Sequence, residues 1–238
     1  MTTIVAFSGG KDSTAMALRL GELGEPFDLL FTPTGNELPE LRAHIERIVE
    51  MTGARLIEPP NHSLDFWIRE HKALPNWRQR WCTRQIKILP CIAYLIANPG
   101  STLCVGLRAD EEERVGGAYG TYATSRFPLR EWGWGLAEVV AYVKDRGVTV
   151  PRRTDCALCY GQRLGEWFEL WRDHPDLFAQ GESYEAEIGH TFRSPGRDTW
   201  PAGLVQLRAR FEAGDRPRGV RDADEDDDNP AACRVCRM

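Results

Sequence analysis

A glycine-rich segment near the amino end has the residue types that bind phosphate. It follows the apolar run at residues 3–7, opens a helical pattern, and consists of Ser8, Gly9, Gly10, Lys11, Asp12 and Ser13. Glycines let the backbone approach a ligand closely, and N–H groups at a helix start attract anions. Lys11 would add positive charge and the serines hydroxyl donors, while Asp12 is a candidate ligand for Mg²⁺. The alternative is an ordinary glycine turn capped by serine.

Cysteines supply the second chemical signal. The chain has seven, an odd number, and four of them form two C-x₂-C pairs, Cys156 with Cys159 and Cys233 with Cys236. Such a pair can place two thiolates on one metal ion or cluster, although reduced free thiols are the alternative. Cys91 and Cys104 lie in apolar segments and are expected in the core.

The second pair lies on an acidic carboxyl-terminal segment. It could complete a four-thiolate site or act as a mobile redox or sulfur-carrying thiol, and cysteines without function are the alternative. Arg234 and Arg237 lie beside these thiols. Positive neighbours lower a thiol pKa and increase its reactive thiolate fraction.

The apolar pattern predicts the elements that position these residues. Strands are expected at 3–7, 27–31, 54–57 and 102–106, and the first three alternate with helical patterns, which indicates a parallel sheet. Further helices are expected at 81–96, kinked or divided at Pro90, and at 136–145 and 164–171. We predict an α/β fold with a mainly parallel, roughly five-stranded sheet flanked by helices, a helical C-terminal part and a polar tail. The expected divisions are residues 1–150 for nucleotide binding, 151–214 for the helical cysteine-pair region packed on it, and 215–238 for the tail.

A basic cluster surrounds Cys82 in the sequence. It contains no acidic residue and consists of Arg78, Arg80, Arg84 and Lys87. Helical spacing would put the last three on one face. That face could bind nucleotide phosphate or a nucleic acid, with Trp77 and Trp81 stacking on bases; a solvated helix face and buried aromatics are the alternatives.

Composition excludes several classes of protein. The chain has 238 residues, 42% hydrophobic and 27% charged, which suits a globular protein with a buried core. Its net charge of −5 argues against a general nucleic-acid coat, although six acidic residues lie within 222–228. We expect a cytoplasmic protein, because no uncharged run approaches the roughly 20 residues of a membrane span and no secretory signal opens the chain.

Several segments together resemble one family. Ser8 to Ser13 resembles the PP-loop of ATP pyrophosphatases, in the adenine nucleotide alpha-hydrolase-like superfamily. Later segments resemble, in matching order, its phosphoadenosine-phosphosulfate (PAPS) reductase-like branch. These segments are 31–40, the Cys82…Lys87…Pro90 helix, the Gly106…Arg108…Glu111…Arg114 loop, and Pro128…Trp132 before the cysteine pair.

The resemblance implies a nucleotide-binding enzyme. Lys11 and Asp12 are intact, whereas dedicated sulfonucleotide reductases tend to have degraded first loops. This favours cleavage of ATP between its α and β phosphates, adenylation of a substrate and sulfur transfer. The alternatives are a PAPS or adenylylsulfate reductase, in which a tail cysteine attacks the sulfuryl group, and a non-catalytic nucleotide- and metal-binding module.

Residue roles follow from the same resemblance. Lys11, Asp12 and Cys236 are expected to be catalytic, and Asp12 to hold Mg²⁺. Nucleotide contacts are expected from Ser8, Gly9, Gly10, Lys11, Asp12, Ser13, Thr34, Gly35, Arg108 and Arg114. A [4Fe–4S] cluster is expected on Cys82, Cys156 and Cys159, with zinc as the rival occupant. A nucleic acid or a small molecule would accept the sulfur, and assembly as a homo-oligomer is left open.

Overall fold

Five parallel strands form the central sheet. The computed structural model describes residues 2–114 and 119–220. The strands are β1 (Thr3–Ala6), β2 (Asp28–Leu30), β3 (Arg55–Ile57), β4 (Thr102–Cys104) and β5 (Thr124–Arg126), in the order β3-β2-β1-β4-β5. The predicted α/β class with a parallel sheet is confirmed. Strands β1 to β4 lie inside the predicted runs, whereas β5, with the polar sequence Thr-Ser-Arg, was not predicted.

Helices cover both faces of this sheet. They are α1 (Lys11–Glu22), α2 (Pro39–Thr52), α3 (Leu64–His71), α4 (Leu89–Ala97), α5 (Pro128–Glu131), α6 (Leu136–Asp145), α7 (Leu164–Asp173), α8 (Pro175–Ile188) and α9 (Leu204–Glu212). Val5 packs in the core of α1, α2 and α6, whereas its neighbour Ile4 packs with Leu95 of α4. Because successive strand residues point to opposite faces and both faces are covered at the centre of the sheet, the central strand β1 has adjacent buried apolar residues.

The strand order creates a crevice at the carboxyl edge. The chain runs outward from β1 to β3 and then returns to β4 on the other side of β1. Loops that leave neighbouring strands in opposite directions open a crevice, where ligands bind in such folds. Gly106 lies close to the start of α1, because a Cβ there would lie 3.3 Å from the backbone of Asp12 and Ser13. The first phosphate-binding candidate therefore lies at this crevice.

A π-helix interrupts the predicted helix at 81–96. Residues Thr83–Ile88 form the π-helix, and α4 begins at Leu89, next to the predicted break at Pro90. Proline has no N–H to donate to the carbonyl four residues earlier. The side-chain amide of Asn61 donates to that carbonyl, on Ile86, at 3.1 Å. The wider π turn changes which side chains share a face.

The carboxyl-terminal helices form a second core with earlier parts of the chain. Trp167 of α7, Phe178 of α8 and Leu207 of α9 pack in one cluster that also contains Ile68 of α3 and Ile86. Trp167 is fully buried there. The boundaries at 150 and 214 stay predictions. No helix in the described part of the chain has the length and apolarity to cross a membrane.

Candidate functional site

The segment Ser8 to Ser13 forms an open turn between β1 and α1. The Ser13 hydroxyl donates to the Gly10 carbonyl at 3.0 Å, and the Ser8 hydroxyl lies 3.3 Å from the Ser13 hydroxyl. Within residues 2–114 and 119–220, no side chain caps α1 at Gly10. The first N–H groups of the helix are therefore available to an anion, and the helix dipole favours negative charge there.

Gly9 is required by both its conformation and its surroundings. Its φ of +72° lies in the left-handed region, and a Cβ would lie 2.4 Å from Leu41 Cδ1. We expect Gly9→Ala to lower the free energy of unfolding by about 2–4 kcal/mol, because strained φ and overpacking add. Urea unfolding measures the loss.

Gly10 supplies a matched control for that substitution. Its φ is −75°, and the nearest atoms to a Cβ are the Ser8 and Thr154 hydroxyls at 3.4 and 3.5 Å. Gly10→Ala should therefore change the free energy of unfolding by less than about 1 kcal/mol. Equal losses in the two variants would contradict this account of the turn.

A buried histidine supports the turn from behind. His44 Nε2 lies 2.9 Å from the Thr14 hydroxyl, which joins α2 to α1. Burial, together with the charge of Arg47, lowers the pKa of His44 from 6.5 to about 4. The folded protein therefore keeps this imidazole neutral at pH values where the unfolded chain protonates it.

This histidine should make stability depend on pH. Its folded pKa is depressed, so the contribution is complete above about pH 6.5 and is lost as the pH falls toward 4. We expect a loss of about 2 kcal/mol between pH 8 and pH 5. Urea unfolding at both values should show it in the wild type and in His190→Gln, which alters an exposed histidine. An unchanged pH dependence in His44→Gln would refute the assignment.

Asp12 and Arg108 form an ion pair across the crevice. Arg108 Nη1 donates to both carboxylate oxygens of Asp12, at 3.0 and 3.2 Å, and Lys11 Nζ lies 3.9 Å from the same carboxylate. Burial raises the pKa of Asp12, although Lys11 and Arg108 oppose that shift. A Mg²⁺ ion on Asp12 would have to replace this guanidinium. The Mg²⁺ role of Asp12 therefore stays a prediction.

The loop after β2 forms a turn whose N–H and hydroxyl groups could bind an anion. A glutamate of the same loop already accepts hydrogen bonds from these groups. The Glu37 carboxylate accepts from the Thr34 hydroxyl at 2.6 Å and from the Gly35 N–H at 3.1 Å. Gly35 adopts φ +71°, and a Cβ would lie 2.9 Å from Ser63 Cβ. The Glu37 carboxylate thus occupies both donors, and the nucleotide contacts predicted for Thr34 and Gly35 stay a prediction.

A cavity of about 240 Å³ lies at the carboxyl edge of the sheet. Proteins hold small ligands in pockets of roughly 300 Å³ or more, so the cavity suits part of a nucleotide. Its apolar wall includes Phe31 and Leu107, and its polar wall includes Ser8, Lys87 and Arg114. Within the described residues, Arg114 Nε is buried without a hydrogen-bond partner. A buried, unpaired donor on a cationic side chain fits an anionic ligand.

The cysteine pair lies on a turn fixed to the loop after β2. The Ala157 N–H donates to the Asn36 carbonyl at 2.7 Å, and the Leu158 N–H donates to the Asn36 side chain at 2.9 Å. Arg153 donates to the Cys156 carbonyl at 3.1 Å. Cys156 also lines the cavity. These contacts place one predicted thiol ligand in the wall of the crevice.

The three predicted cluster ligands lie in neighbouring positions. The hydrogen bond between the Cys156 and Cys159 side chains, together with burial, raises the pKa of the Cys159 thiol. Burial raises the pKa of the Cys82 thiol too. All three pack at the second core. Within the described residues, no three Cys, His, Asp or Glu side chains converge at single-ion distance.

Thiols around a cluster stand farther apart than thiols around one ion. Zinc–sulfur bonds are about 2.3 Å long, which gathers the sulfurs of a zinc site tightly. In a four-iron cluster each thiolate binds a different iron, so the sulfurs are spread. The donor set of three neighbouring thiols at an apolar wall is therefore compatible with a cluster.

The basic cluster does not share one face, and that prediction is wrong. Lys87 lines the cavity, whereas Arg80 and Arg84 line a separate groove on the outside. The prediction assumed a regular α-helix beginning before Arg80, but the helix starts at Trp81 and becomes a π-helix at Thr83. Cys91 and Cys104 are buried as expected, although Cys91 also reaches the cavity. Cys233 and the predicted catalytic Cys236 lie outside the described residues.

Some site residues were not predicted. Thr154 and Asp155 line the cavity beside Cys156, and their position just before the cysteine pair is the signal that could have identified them. Arg130 donates to the carbonyls of Glu111 and Arg114 at 2.6 and 2.7 Å and so fixes the loop after β4. Its place in the Pro128…Trp132 segment gave no sign of this contact.

The sequence of this chain matches a family model and a curated relative. A family model, the phosphoadenosine phosphosulfate reductase domain, matches residues 2–151. An uncharacterized protein of Methanocaldococcus jannaschii is 24% identical over 190 residues, which are 73% of this chain and 45% of that protein. The chain therefore spans less than half the length of this curated relative.

Solved structures add a comparison of folds. The phosphoadenylyl-sulfate reductase from Candida auris, in a phosphate complex, aligns with a TM-score of 0.51 at 15% identity over 63% of this chain and 75% of that one. The U34-tRNA thiolase NcsA from Methanococcus maripaludis, with its [4Fe–4S] cluster, aligns with a TM-score of 0.49 at 17% identity over 80% of this chain and 73% of that one. The first alignment shows that the two chains share a fold. Because the family model covers more than half of its length, this chain belongs to the phosphoadenosine phosphosulfate reductase domain family.

Proposed function

We propose that the protein cleaves ATP to adenylate a substrate and then transfers sulfur to it. One observation carries the proposal: Ser8 of the phosphate-binding turn and Cys156 of the cysteine pair line the same cavity. A nucleotide there would have its phosphates at the open end of α1, within reach of chemistry at the thiols. Family membership supports an enzyme that binds an adenine nucleotide.

The residues of the turn suit a pyrophosphate leaving group. Breaking the bond between the α phosphorus and its bridging oxygen moves negative charge onto the β phosphate. The N–H groups at the start of α1 and the Lys11 ammonium would stabilise that charge in the transition state. Arg114, whose buried Nε has no hydrogen-bond partner among the described residues, would bind a further phosphate oxygen.

Neither of the two chemical steps, adenylation of the acceptor and displacement of AMP by sulfur, needs an oxidant. A hydroxyl or enolised carbonyl oxygen of the acceptor attacks the α phosphorus, pyrophosphate leaves, and the acceptor proton passes to solvent. A sulfide-level sulfur then attacks the acceptor carbon, and AMP leaves with the electron pair of the carbon–oxygen bond. Mg²⁺ would enter bound to ATP, as part of the substrate.

Cys82, Cys156 and Cys159 would hold an iron–sulfur cluster beside this cavity. When bound, such a cluster supplies an iron site that can carry sulfur for the second step. Asn36 and Arg153 hold the Cys156 turn in position through the contacts described above. Zinc on the same thiols is the rival occupant, and iron and acid-labile sulfide analysis separates the two.

A sulfonucleotide reductase is the alternative function within the same family. It would attack the sulfuryl group with a cysteine thiolate, for which Cys236 is the sequence candidate, and a thiol reductant would release sulfite. A non-catalytic nucleotide- and metal-binding module is the third candidate. In all three cases the nucleotide would occupy the same cavity, so reaction products decide among them.

Product analysis under anaerobic conditions tests the proposal. The protein is incubated separately with ATP and Mg²⁺, with and without sulfide and candidate acceptors, and with a sulfonucleotide and a dithiol reductant. Formation of AMP and pyrophosphate in equal amounts supports adenylation. Sulfite release without ATP supports the reductase, and nucleotide binding with no turnover in either mixture supports the module.

A further inference from the structure

A basic groove lies on the outer side of the helical turn that carries Cys82. It has a volume of about 640 Å³ and is bordered by His71 at the end of α3 and by Arg80, Trp81 and Arg84. We call these four residues and the space between them the basic groove. Among its described lining residues there is no carboxylate.

The sequence concentrates positive charge around this groove. Between Glu70 and Asp110 the chain has no acidic residue, yet residues 72–87 contain Lys72, Arg78, Arg80, Arg84 and Lys87. Arg78 and Arg84 are exposed. The chain as a whole carries a net charge of −5, so this concentration is local. Positive charge in a groove attracts a polyanion and orients its approach.

An exposed indole lies beside this charge. Trp77 is 50% exposed, which is unusual for the largest apolar side chain. Its ring meets the buried Tyr160 edge to face, with the centroids 5.2 Å apart. Tyr160 directly follows Cys159. The indole is thus held next to the cysteine pair with half of its surface open, as a platform on which a base can stack.

The groove and the nucleotide cavity share one helical turn. Arg84 faces the groove and Lys87 lines the cavity, because the π-helical turn separates them. Cys82 lies at the start of the same turn and packs against the second core, which contains Cys159. A molecule bound in the groove would therefore lie beside the predicted cluster ligands.

We propose that the basic groove binds a single-stranded segment of nucleic acid, which is the sulfur acceptor. This inference rests on the proposed function and names its substrate class. Arginines along a groove with an exposed aromatic side chain are the combination that binds single strands through phosphates and stacked bases. A small acceptor would not need a groove of this size in addition to the nucleotide cavity.

Fluorescence anisotropy with a labelled single-stranded RNA oligonucleotide tests the proposal. The wild-type chain is titrated without ATP over a range of salt concentrations. We expect the double variant R80A/R84A to bind at least about tenfold more weakly and to reduce the slope of log affinity against log salt by about 1.4. We expect Trp77→Ala to weaken binding about tenfold with little change in that slope.

Two controls separate this inference from the proposed function. The double variant R55A/R172A removes the same charge from exposed or half-buried sites outside the groove and should bind within about twofold of wild type. Lys11→Ala should bind the oligonucleotide like wild type even where it cannot cleave ATP. Wild-type affinity of R80A/R84A for the oligonucleotide would show that the basic groove does not bind it. The proposed adenylation activity would be unaffected by that result.

Other outcomes would overturn the proposal as well. These are absence of binding by the wild type, equal affinity for a duplex of the same length, and binding of anionic phospholipid vesicles through Arg80 and Arg84 in place of the oligonucleotide. A labelled single-stranded DNA of the same sequence is run in parallel. Tighter binding of either strand type supports the proposal and identifies the acceptor more closely.

Discussion

Replacing Lys11 by alanine is expected to reduce the formation of AMP and pyrophosphate at least about 100-fold in kcat/KM. Lys11 opens α1 at the phosphate-binding turn, and its ammonium group lies 3.9 Å from Asp12. The positive charge would oppose the negative charge that develops on the leaving pyrophosphate. Removal of a group that acts mainly in the transition state lowers kcat more than it raises KM.

Lys144→Ala is the matched control for this substitution. Lys144 is exposed in the last turn of α6 and does not line the cavity. It should keep wild-type turnover. Thermal unfolding of both variants checks that each is folded. Wild-type turnover in a folded Lys11→Ala variant would contradict the assigned role.

Alanine at Cys82, Cys156 or Cys159 is expected to remove most of the iron and acid-labile sulfide from anaerobically purified protein. Each thiol would bind a different iron, and the site has few ligands to lose. The Cys156 turn, held by Asn36 and Arg153, positions two of these ligands at once. The expected result is less than about a tenth of the wild-type iron content for each variant.

Cys104→Ala provides the control for these three variants. Cys104 is fully buried in β4, and burial raises the pKa of its thiol to about 11. This variant should retain iron and sulfide while losing some stability, because it leaves a small cavity. Full iron content in Cys82→Ala would show that Cys82 is not a ligand. Stoichiometric zinc without acid-labile sulfide in the wild type would show that these thiols hold zinc and not an iron–sulfur cluster.

The fold followed from local features of the sequence. Ile4 and Val5 enter opposite, covered faces, so β1 has adjacent apolar residues and is easily recognised. Gly53, with φ +64°, ends α2, and glycine is the residue that most readily adopts this left-handed conformation at a helix end. By contrast, β5 has the polar sequence Thr-Ser-Arg and pairs only along its β4 side in the described sheet, so no apolar pattern indicated it.

The sequence indicated which residues belong to the site but not which contacts these residues make. Nothing local to Asn36 indicates that it receives two N–H groups from residues about 120 positions later, since that contact depends on tertiary packing. The pairing of Asp12 with Arg108 likewise requires β4 to lie beside β1. The hydrogen bond from Asn61 to the Ile86 carbonyl in the π-helix is also a contact between distant parts of the chain. Periodicity along the chain carries no information about such long-range partners.

A structure of the anaerobically purified protein bound to α,β-methylene ATP tests the central claim most directly. We predict that the triphosphate lies at the turn of Ser8 to Ser13, with the α phosphate facing the cavity wall that contains Cys156. Electron density for iron would connect Cys82, Cys156 and Cys159 beside it. A nucleotide bound elsewhere, or one whose α phosphate is separated from these thiols by folded chain, would contradict the account.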